Sequence, residues 1–344
     1  MSVAWSGNRF TDAFSLSTPI ALAPMALATG GALAAACARA GALALVGGGY
    51  GDLDWTQREY SGAVAQLGDH AAGMSRLGCG FISWKLAEDR SAFDWLLDQP
   101  HRPAAVMLSF GDPGRFAKIL CDHAIPVICQ IQTVAQLPAA VDAGASVIVA
   151  QGCEAGGHGM NELEGRSTFT LVPEMADWLA KRAPETILLA AGGIADGRGL
   201  AASMILGADG ALIGSRLWAS EQSLAAASAK QAALQASGDD TARSSIFDIL
   251  RSKNWPEQYD FRAIRNQLHK SWEKRIDALR SDSAAAIEDY LEGVRAEDYA
   301  RAHITVGQGI GLINDVLPAE QVIETITREA ERLLGGGGSG RQPA

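Results

Sequence analysis

Short apolar runs alternate with helical patterns over the first two thirds of the chain. Each run is continuous rather than alternating in polarity, which is typical of parallel strands that are buried on both faces. The segments between the runs, such as 133–143, 171–183 and 196–206, have the apolar spacing or the alanine content of helices. The pattern predicts eight strands, at residues 20–23, 43–46, 80–84, 105–109, 126–130, 147–150, 187–190 and 211–213.

Eight consecutive strand–helix units without a long crossover predict an α/β fold in which the strands close into a (β/α)8 TIM barrel. An open, doubly wound sheet is the alternative arrangement for the same pattern. At 344 residues the chain is longer than the ~250 residues of a bare barrel, so we also expect an insertion.

The pattern changes after residue 218. Between residues 219 and 303 there is no strong strand run, and charged helical stretches dominate at 262–279 and 283–293. This predicts an α-helical insertion after strand eight that forms a substrate lid on a barrel made of residues 1–218 and 304–334. The segment 318–334 begins with proline and would supply the closing helix, and the glycine-rich residues 335–344 would form a disordered tail.

Charge and cysteine content narrow the class of protein. The formal net charge of −10 argues against nucleic acid or an anionic membrane surface as the main partner. Five cysteines, an odd number without a CxxC pair, indicate reduced thiols rather than disulfides or a zinc site. Residues 1–10 do not resemble a secretory signal, and no apolar stretch suits a membrane span. We therefore expect a soluble, cytoplasmic protein without a bound metal.

The candidate chemistry follows the predicted strands, because ligand sites in barrels are built from the loops at the carboxyl ends of the strands. The clearest candidate is the segment 151–159 (QGCEAGGHG) after strand six. Gly156 and Gly157 would let the backbone approach a flat ligand closely. His158 follows them in a loop, where an imidazole can exchange a proton near neutral pH. A glycine-rich turn with an exposed histidine is the alternative, but the position at a catalytic strand end favours a functional role.

Small residues follow the last two predicted strands as well. Gly192 and Gly193 come after strand seven, and Gly214 and Ser215 come after strand eight. Such residues leave backbone N–H groups free to bind an anion, and the following helix would add its positive dipole end. The loops after strands seven and eight are a recurring phosphate site in barrels, so the two clusters together predict one here.

These segments resemble the nitronate monooxygenase family, formerly called 2-nitropropane dioxygenases. The resemblance covers nearly the whole chain and includes the EAGGH string, the AGGI, GADG and IGS series, and VGQGIGLINDVLP at 306–318. It implies an FMN-dependent barrel enzyme with a helical lobe inserted after strand eight. The implied reaction is the oxidation of nitronates, and in some members of nitroalkanes, by O2 to a carbonyl compound and nitrite.

The resemblance also implies residue roles. His158 matches the catalytic histidine, which removes a proton from a neutral nitroalkane or binds the anionic nitronate. The flavin supplies the redox chemistry and the protein supplies orientation and a proton carrier. Together with the glycine clusters, the resemblance assigns FMN binding to Ala23, Pro24, Met25, Gln151, Gly156, Gly157, Gly192, Gly193, Gly214 and Ser215.

The chain departs from the family pattern in two places. Many members have a GVN string near the start of strand three, where this chain has GCGFISW at 78–84, and Ser215 replaces the usual threonine. Rival interpretations are a flavin-dependent enoyl-acyl carrier protein reductase, an NAD(P)H:quinone reductase and a flavin-binding protein without turnover. The expected partners are a small nitro compound or nitronate and O2, and a homodimer is left open. Trp255, Tyr259 and Trp272 are candidates to line a pocket under the insertion, with aromatic core packing as the alternative.

Overall fold

The computed structural model describes Trp5 and residues 7–335. Eight parallel strands close into a barrel in the order β1-β2-β3-β4-β5-β6-β8-β9, and β9 pairs with β1. The predicted TIM barrel is therefore confirmed. The described strands are β1 (Ile20–Leu22), β2 (Leu43–Gly49), β3 (Leu77–Ile82), β4 (Val106–Ser109), β5 (Val127–Ile131), β6 (Val147–Gln151), β7 (Gly157–Met160), β8 (Ile187–Ala191), β9 (Gly210–Ile213), β10 (Thr241–Ser244) and β11 (Tyr259–Ile264).

Helices follow most of the barrel strands and pack on the outside of the barrel. The predicted closing helix is confirmed as α17, which starts one residue after Pro318. The helices are α1 (Arg9–Phe14), α2 (Gly31–Arg39), α3 (Leu53–Leu67), α4 (Ala71–Met74), α5 (Ser83–Glu88), α6 (Ser91–Leu97), α7 (Gly114–Asp122), α8 (Leu137–Asp142), α9 (Thr168–Arg182), α10 (Gly197–Ile205), α11 (Ser215–Trp218), α12 (Ala227–Ala233), α13 (Ile246–Leu250), α14 (Gln267–Trp272), α15 (Ile276–Ser281), α16 (Ala284–Arg295) and α17 (Ala319–Leu334).

The continuous apolar runs are explained by burial on both faces of the barrel wall. All five residues of β5, of β6 and of β8 are buried. Side chains that alternate along the strands fill either the interior of the barrel or the layer between strands and helices. Phe10 and Phe14 of α1 belong to the interior cluster and close the amino-terminal end of the barrel. The opposite end, where the strands carry their carboxyl ends, is left for a ligand.

The third strand lies a few residues earlier than its predicted position. Residues 80–84 were expected to be the strand, but β3 ends at Ile82 and α5 begins at Ser83. Gly78 and Gly80 interrupt the apolar run by which strands were predicted, so the first half of β3 was not included. They are required by close packing, since a Cβ atom on Gly78 would collide with the carbonyl of Ala105, and one on Gly80 with the ring of Pro24.

The segment between residues 219 and 303 is not built from helices alone, so that expectation is corrected. Strands β10 and β11 pair antiparallel, and β11 pairs with β7 to complete a three-stranded sheet. The predicted helix 262–279 is split into the end of β11 and the short helices α14 and α15. Short antiparallel strands with mixed polar and aromatic residues lack the continuous apolar pattern by which the barrel strands were identified. We call residues 219–303 the lobe. Of the predicted tail 335–344, all but Gly335 lies outside the described residues.

Candidate active site

The segment after β1 lies across the mouth of the barrel. A Cβ atom on Gly214, which follows β9, would lie 3.8 Å from Ala23 Cβ and 3.7 Å from Met25 Sδ. On the other side, Pro24 packs against Gly80 of β3. The structure therefore brings together four residues that the sequence analysis singled out, at the carboxyl ends of β1 and β9.

Backbone N–H groups without a partner are found after β8 and β9. Gly192 and Gly193 have φ angles of 105° and 75°, a left-handed conformation that a residue with a side chain rarely adopts. Within the described residues, the N–H groups of Gly192, Gly193 and Gly214 donate to no protein acceptor. Unpaired N–H groups at two neighbouring strand ends are suitable donors for an anion.

The helix that follows β8 does not add a free N-terminus to these donors. Its N-cap residue Asp196 accepts a hydrogen bond from Gly199 N at 3.0 Å, and Glu329 accepts one from Gly197 N at 2.8 Å. Two carboxylates therefore already accept hydrogen bonds from N–H groups in the first turn of α10. The helix after β9 has Gly214 as its N-cap and no side-chain cap, and the Oγ of Ser215 accepts a hydrogen bond from Gly307 N at 2.8 Å.

The glycine pair after β6 has two distinct structural causes. A Cβ atom on Gly156 would lie 2.5 Å from the carbonyl carbon of Val306 and 2.6 Å from Gly307 N, so this glycine allows two backbone segments to touch. Gly157 has a φ angle of 70° and begins β7. Gly307 thus contacts both Gly156 and Ser215, and it connects the loop after β6 to the loop after β9.

Three buried glutamines form a hydrogen-bonded cluster at the ends of β5 and β6. The Oε1 of Gln151 accepts hydrogen bonds from Gln130 Nε2 at 3.2 Å and from Gln132 Nε2 at 2.9 Å. The Nε2 of Gln151 donates to the carbonyl of His158 at 2.9 Å, so the cluster also positions β7. The Oε1 of Gln132 is buried and has no partner within the described chain. Gln130 and Gln132 were not among the predicted site residues, although two amides in an otherwise apolar strand end were a visible signal.

His158 lies within β7 rather than in a loop, and it is buried, so the expected loop position is corrected. Its side chain is 7% exposed. The Nε2 is 2.9 Å from the Oδ1 of Asp248, a residue of α13 in the lobe. One face of the imidazole stacks on the indole of Trp255, with ring centroids 3.4 Å apart and planes 12° apart. Phe261 of β11 covers it further at a centroid distance of 4.8 Å.

The environment of His158 favours its neutral form. Burial, with smaller contributions from the positive charges of Arg251 and Arg243, lowers the pKa of His158 well below its usual value. Burial also raises the pKa of Asp248 to about 7, although the nearby Arg251 opposes this change. A neutral imidazole at pH 7 can accept a proton, which an imidazolium cannot.

Two arginines of the lobe hold the glycine loop in place. The guanidinium of Arg243 donates to the carbonyls of Ala155 at 2.7 Å and Gly157 at 3.1 Å. It also donates to the carbonyl of Cys153, as does Arg262 at 3.1 Å. The desolvation that accompanies this burial lowers the pKa of Arg243 to about 10, so the residue keeps its charge at neutral pH. The lobe therefore supplies the groups that shape the loop in front of His158.

Aromatic residues of the lobe meet aromatic residues from three strand ends. Trp255 Nε1 donates to the hydroxyl of Tyr50, after β2, at 3.0 Å. Trp255 also makes edge contacts with Trp84, after β3, and Phe110, after β4, at centroid distances of 5.4 and 5.1 Å. Phe110 has a φ angle of 61°, which is a strained conformation for a bulky residue. Of the three predicted lobe aromatics, Trp255 and Tyr259 join this group, whereas Trp272 packs in a separate core of the lobe.

A sequence model described as nitronate monooxygenase matches residues 87–329 of the chain. The chain belongs to the nitronate monooxygenase family. It is 31% identical to a nitronate monooxygenase of Metarhizium robertsii, over 91% of this chain and 90% of that protein. It is 29% identical to the nitronate monooxygenase of Neurospora crassa, over 91% of this chain and 89% of that one. As a member of this family the protein is an oxidoreductase.

Solved structures share the same architecture. FabK of Thermotoga maritima superposes with a TM-score of 0.76 at 26% identity, covering 95% of this chain and 97% of that chain. The nitroalkane oxidase of Streptomyces ansochromogenes superposes with a TM-score of 0.75 at 23% identity, covering 95% and 99% of the two chains. At that lower identity the likeness concerns the fold alone.

Nitronate monooxygenases oxidise nitro compounds with a flavin, and the mouth of this barrel has the donor and acceptor groups that a flavin needs. The unpaired N–H groups after β8 and β9 suit a phosphate. Buried polar atoms without a protein partner lie at other strand ends, where a polar ring edge could satisfy them. They are Ser83 Oγ, Trp84 Nε1 and Gln132 Oε1.

The described residues also bear on two other kinds of site, a metal centre and a membrane span. No group of three or more His, Cys, Asp or Glu side chains there could hold a metal ion. None of the helices in that part of the chain combines the length and the apolar character that crossing a membrane would require.

Proposed function

We propose that this protein binds FMN at the mouth of its barrel and oxidises nitronates with O2 to a carbonyl compound and nitrite. Nitroalkanes would be substrates after loss of their α-proton. The observation that carries the proposal is His158, a buried imidazole beside the glycine loop that follows β6, where burial lowers its pKa and so favours the neutral form. Membership of the nitronate monooxygenase family supports the same chemistry.

FMN would be held from two sides. The N–H groups of Gly193 and Gly214 and the hydroxyl of Ser215 would bind the phosphate, with Gly192 shaping the turn. Ala23, Pro24 and Met25 would lie against the ring system, and Gln151, held by Gln130 and Gln132, would bind its polar edge. Gly156 and Gly157 would give the loop after β6 its close approach. The sequence has one phosphate-sized cluster and no second fingerprint for an adenosine half, which favours FMN over FAD.

His158 would serve the two substrate classes differently. For a neutral nitroalkane it would accept the α-proton, whereas for a nitronate it would act only as a hydrogen-bond or charge partner. When bound, FMN would supply the redox chemistry, taking electrons from the nitronate and passing them to O2. We also propose that the lobe covers the substrate, since Trp255 already meets residues from the ends of β2, β3 and β4. A cover of this kind excludes water from a reactive site.

The test combines cofactor identity with anaerobic reduction. The purified protein should be yellow and should release FMN on denaturation, as chromatography of the released cofactor will show. Propionate 3-nitronate or ethyl nitronate should bleach the flavin absorbance in an anaerobic stopped flow, and O2 should then restore it with release of nitrite. Release of FAD, or absence of flavin, would contradict the cofactor assignment.

The main alternative is a flavin-dependent NAD(P)H oxidoreductase on the same barrel, such as an enoyl-acyl carrier protein reductase or a quinone reductase. The similarity in fold to FabK of Thermotoga maritima supports this alternative. It predicts that NADH or NADPH bleaches the flavin anaerobically and that nitronates do not. The same apparatus therefore decides between the two functions.

A further inference from the structure

The imidazole of His158 has one hydrogen-bond partner in the described chain, and that partner comes from the lobe. Its Nε2 is 2.9 Å from Asp248 Oδ1, and the two side chains are 7% and 5% exposed. The residues are 90 positions apart in the sequence. The contact joins β7, which extends from the barrel, to α13 of the lobe.

The carboxylate of Asp248 has no other hydrogen bond in the part of the chain that the structure describes. Its second oxygen, Oδ2, is buried without a partner. The guanidinium of Arg251 lies 4.0 Å from Oδ1, beyond hydrogen-bond distance, and instead lies over the ring of Phe261 at 4.7 Å. A buried carboxyl group with an unsatisfied oxygen lowers the stability of the folded state. The short helix α13 does not need a carboxyl group at this position in order to form. The one evident contact of this carboxyl group is with the candidate base.

The 2.9 Å separation requires a proton between the two atoms, and its position decides the state of the rest of the ring. When Asp248 is ionised, the single ring proton of a neutral imidazole must be on Nε2, so Nδ1 has a free lone pair. When Asp248 is protonated, its hydroxyl donates to Nε2, and the ring proton is on Nδ1. Only the first state provides a base.

We propose that Asp248 is a positioning residue that holds His158 in the Nε2–H tautomer and thereby makes Nδ1 the base for neutral nitroalkanes. This deepens the proposed function and rests on it. In the proton transfer, the bond between the α-carbon and its hydrogen breaks, and its electron pair forms the carbon–nitrogen double bond of the nitronate. The proton goes to Nδ1, and the ionised Asp248 stabilises the imidazolium that forms, as carboxylates do in other histidine dyads.

The charges around the pair determine the pH range in which this state exists. The ionisable groups that interact with His158 or Asp248 come from several elements: Arg251 beside α13, Arg243 of β10, Asp260 of β11 and Tyr50 after β2. Burial dominates their combined influence and raises the pKa of Asp248 to about 7. The base form is therefore expected above pH 7, and the donor form is expected below it.

The decisive measurement is the tautomer of His158 in the holoenzyme, observed by NMR after selective 15N labelling of the six histidines. His158→Gln assigns the signal. At pH 8.5 we expect a protonated Nε2 and an unprotonated Nδ1, and we expect the assignment to invert as the pH falls through 7. In Asp248→Asn the fixed tautomer and its pH switch should both be lost. A protonated Nδ1 at pH 8.5, or an unchanged tautomer and pH switch in Asp248→Asn, would overturn the proposal.

Kinetics provide a second readout that a merely structural role would not move. Asp248→Asn should lower kcat/KM for nitroethane by about 10²-fold, within the range of general base catalysis, and much less for ethyl nitronate. The pH profile for nitroethane should lose its rise near pH 7. Asp277→Asn is the control, since Asp277 lies in α15 of the lobe with a fully exposed side chain and makes no hydrogen bond to His158. Equal losses on both substrates would contradict the positioning role.

The two hypotheses fail in different ways. A wild-type holoenzyme that oxidises neither nitroethane nor ethyl nitronate would contradict the proposed function, while the NMR experiment would still decide the tautomer. If the enzyme oxidises ethyl nitronate but the proton of His158 is distributed over Nδ1 and Nε2, the proposed function stands and the role of Asp248 is contradicted.

Discussion

The barrel wall and the lobe are built from different kinds of residue. None of the eight described barrel strands carries an aspartate, glutamate, lysine, arginine or histidine. The smaller lobe buries Arg243, Asp248, Arg262 and His269, each less than 9% exposed. The described barrel strands therefore form an apolar wall whose polar side chains Ser109, Gln130 and Gln151 lie at or next to the carboxyl rim, whereas the lobe brings ionisable groups to that rim.

The difference has an energetic consequence. Apolar burial in the barrel is favourable at each strand, at roughly 25 cal/mol per Å² of surface removed from water. In the lobe, each buried charge must be compensated by a partner. Arg243 donates to four backbone carbonyls and leaves only its Nε without a partner in the described chain, whereas Asp248 has a single hydrogen bond and one unsatisfied oxygen. Incomplete compensation of this kind is typical of functional sites, where stability is lower than packing would allow.

The largest expected effect comes from the barrel side. Gly193→Val should abolish flavin binding while the protein stays folded, because valine cannot easily adopt a φ of 75° and would displace the N–H groups of the turn. Flavin content per chain is the measurement. Gly7→Val is a matched control, since Gly7 also has a positive φ of 83°, but a Cβ atom added there would have no described atom within 4 Å. Full flavin content in Gly193→Val would show that the phosphate binds elsewhere.

The next largest effect comes from the junction of the two regions. His158→Asn should keep FMN but lose activity on nitroethane by roughly 10²–10⁴-fold, the contribution of a placed general base. The loss on ethyl nitronate should be much smaller, because that substrate is already deprotonated. kcat/KM for both substrates, at matched FMN occupancy, is the measurement, and the exposed His101→Asn is the control. Equal losses would mean that His158 binds the anion instead of acting as a base.

Most of the barrel and part of the site could be predicted from sequence. Continuous apolar runs and the glycines after them are local signals, and they located β8 and β9 together with Gly193 and Gly214. Two lobe strands were missed because β10 and β11 are short antiparallel segments whose polar residues, such as Arg243 and Arg262, are buried through hydrogen bonds to backbone carbonyls. No local sequence pattern predicts which backbone carbonyls a buried arginine will bind.

Asp248 is a stronger case of the same limitation. It lies in an ordinary helical stretch, IFDIL, and its relation to His158 exists only through a contact between residues 90 positions apart. The stacking of Trp255 on His158 is similarly non-local. Sequence could identify the aromatic residues of the lobe, but the choice of Trp255 over Trp272 for the site depended on tertiary packing.

A smaller effect is expected when the aromatic contact between the lobe and the rim of the barrel is removed. Trp255→Ala should expose the bound flavin, because the indole covers His158 and contacts residues from three strand ends. Quenching of flavin fluorescence by iodide should become more efficient. The kcat/KM for bulky nitroalkanes should rise relative to the kcat/KM for nitroethane. Trp178→Ala, on the outer helix α9, is the control. Unchanged quenching would mean that the lobe does not cover the flavin.

The smallest effect separates the acid stability of the lobe from that of the barrel. His303 lies among the rings of Phe247, Phe261 and Tyr290, and burial lowers its pKa to about 3. In the unfolded chain a histidine has a pKa of about 6.5, so below that pH the unfolded state binds a proton that the folded state refuses. The stability contribution of His303 is therefore complete above pH 6.5 and is lost as the pH falls toward 3. Asp248 acts in the opposite direction, because its raised pKa favours the folded state as the pH falls below 7.

A difference between variants isolates His303 from that opposing contribution. The stability of His303→Gln relative to wild type should improve by at most about 2 kcal/mol between pH 7.5 and pH 5, since glutamine does not titrate. Native-state hydrogen exchange, corrected for the intrinsic pH dependence of the rates, measures this change residue by residue. The improvement should occur in β10 and β11 and not in β5 or β6, because we expect the lobe, which contains His303, to open while the barrel strands stay folded. An equal change in both regions would mean that lobe and barrel unfold as one unit, and that the lobe's buried charges weaken the entire molecule.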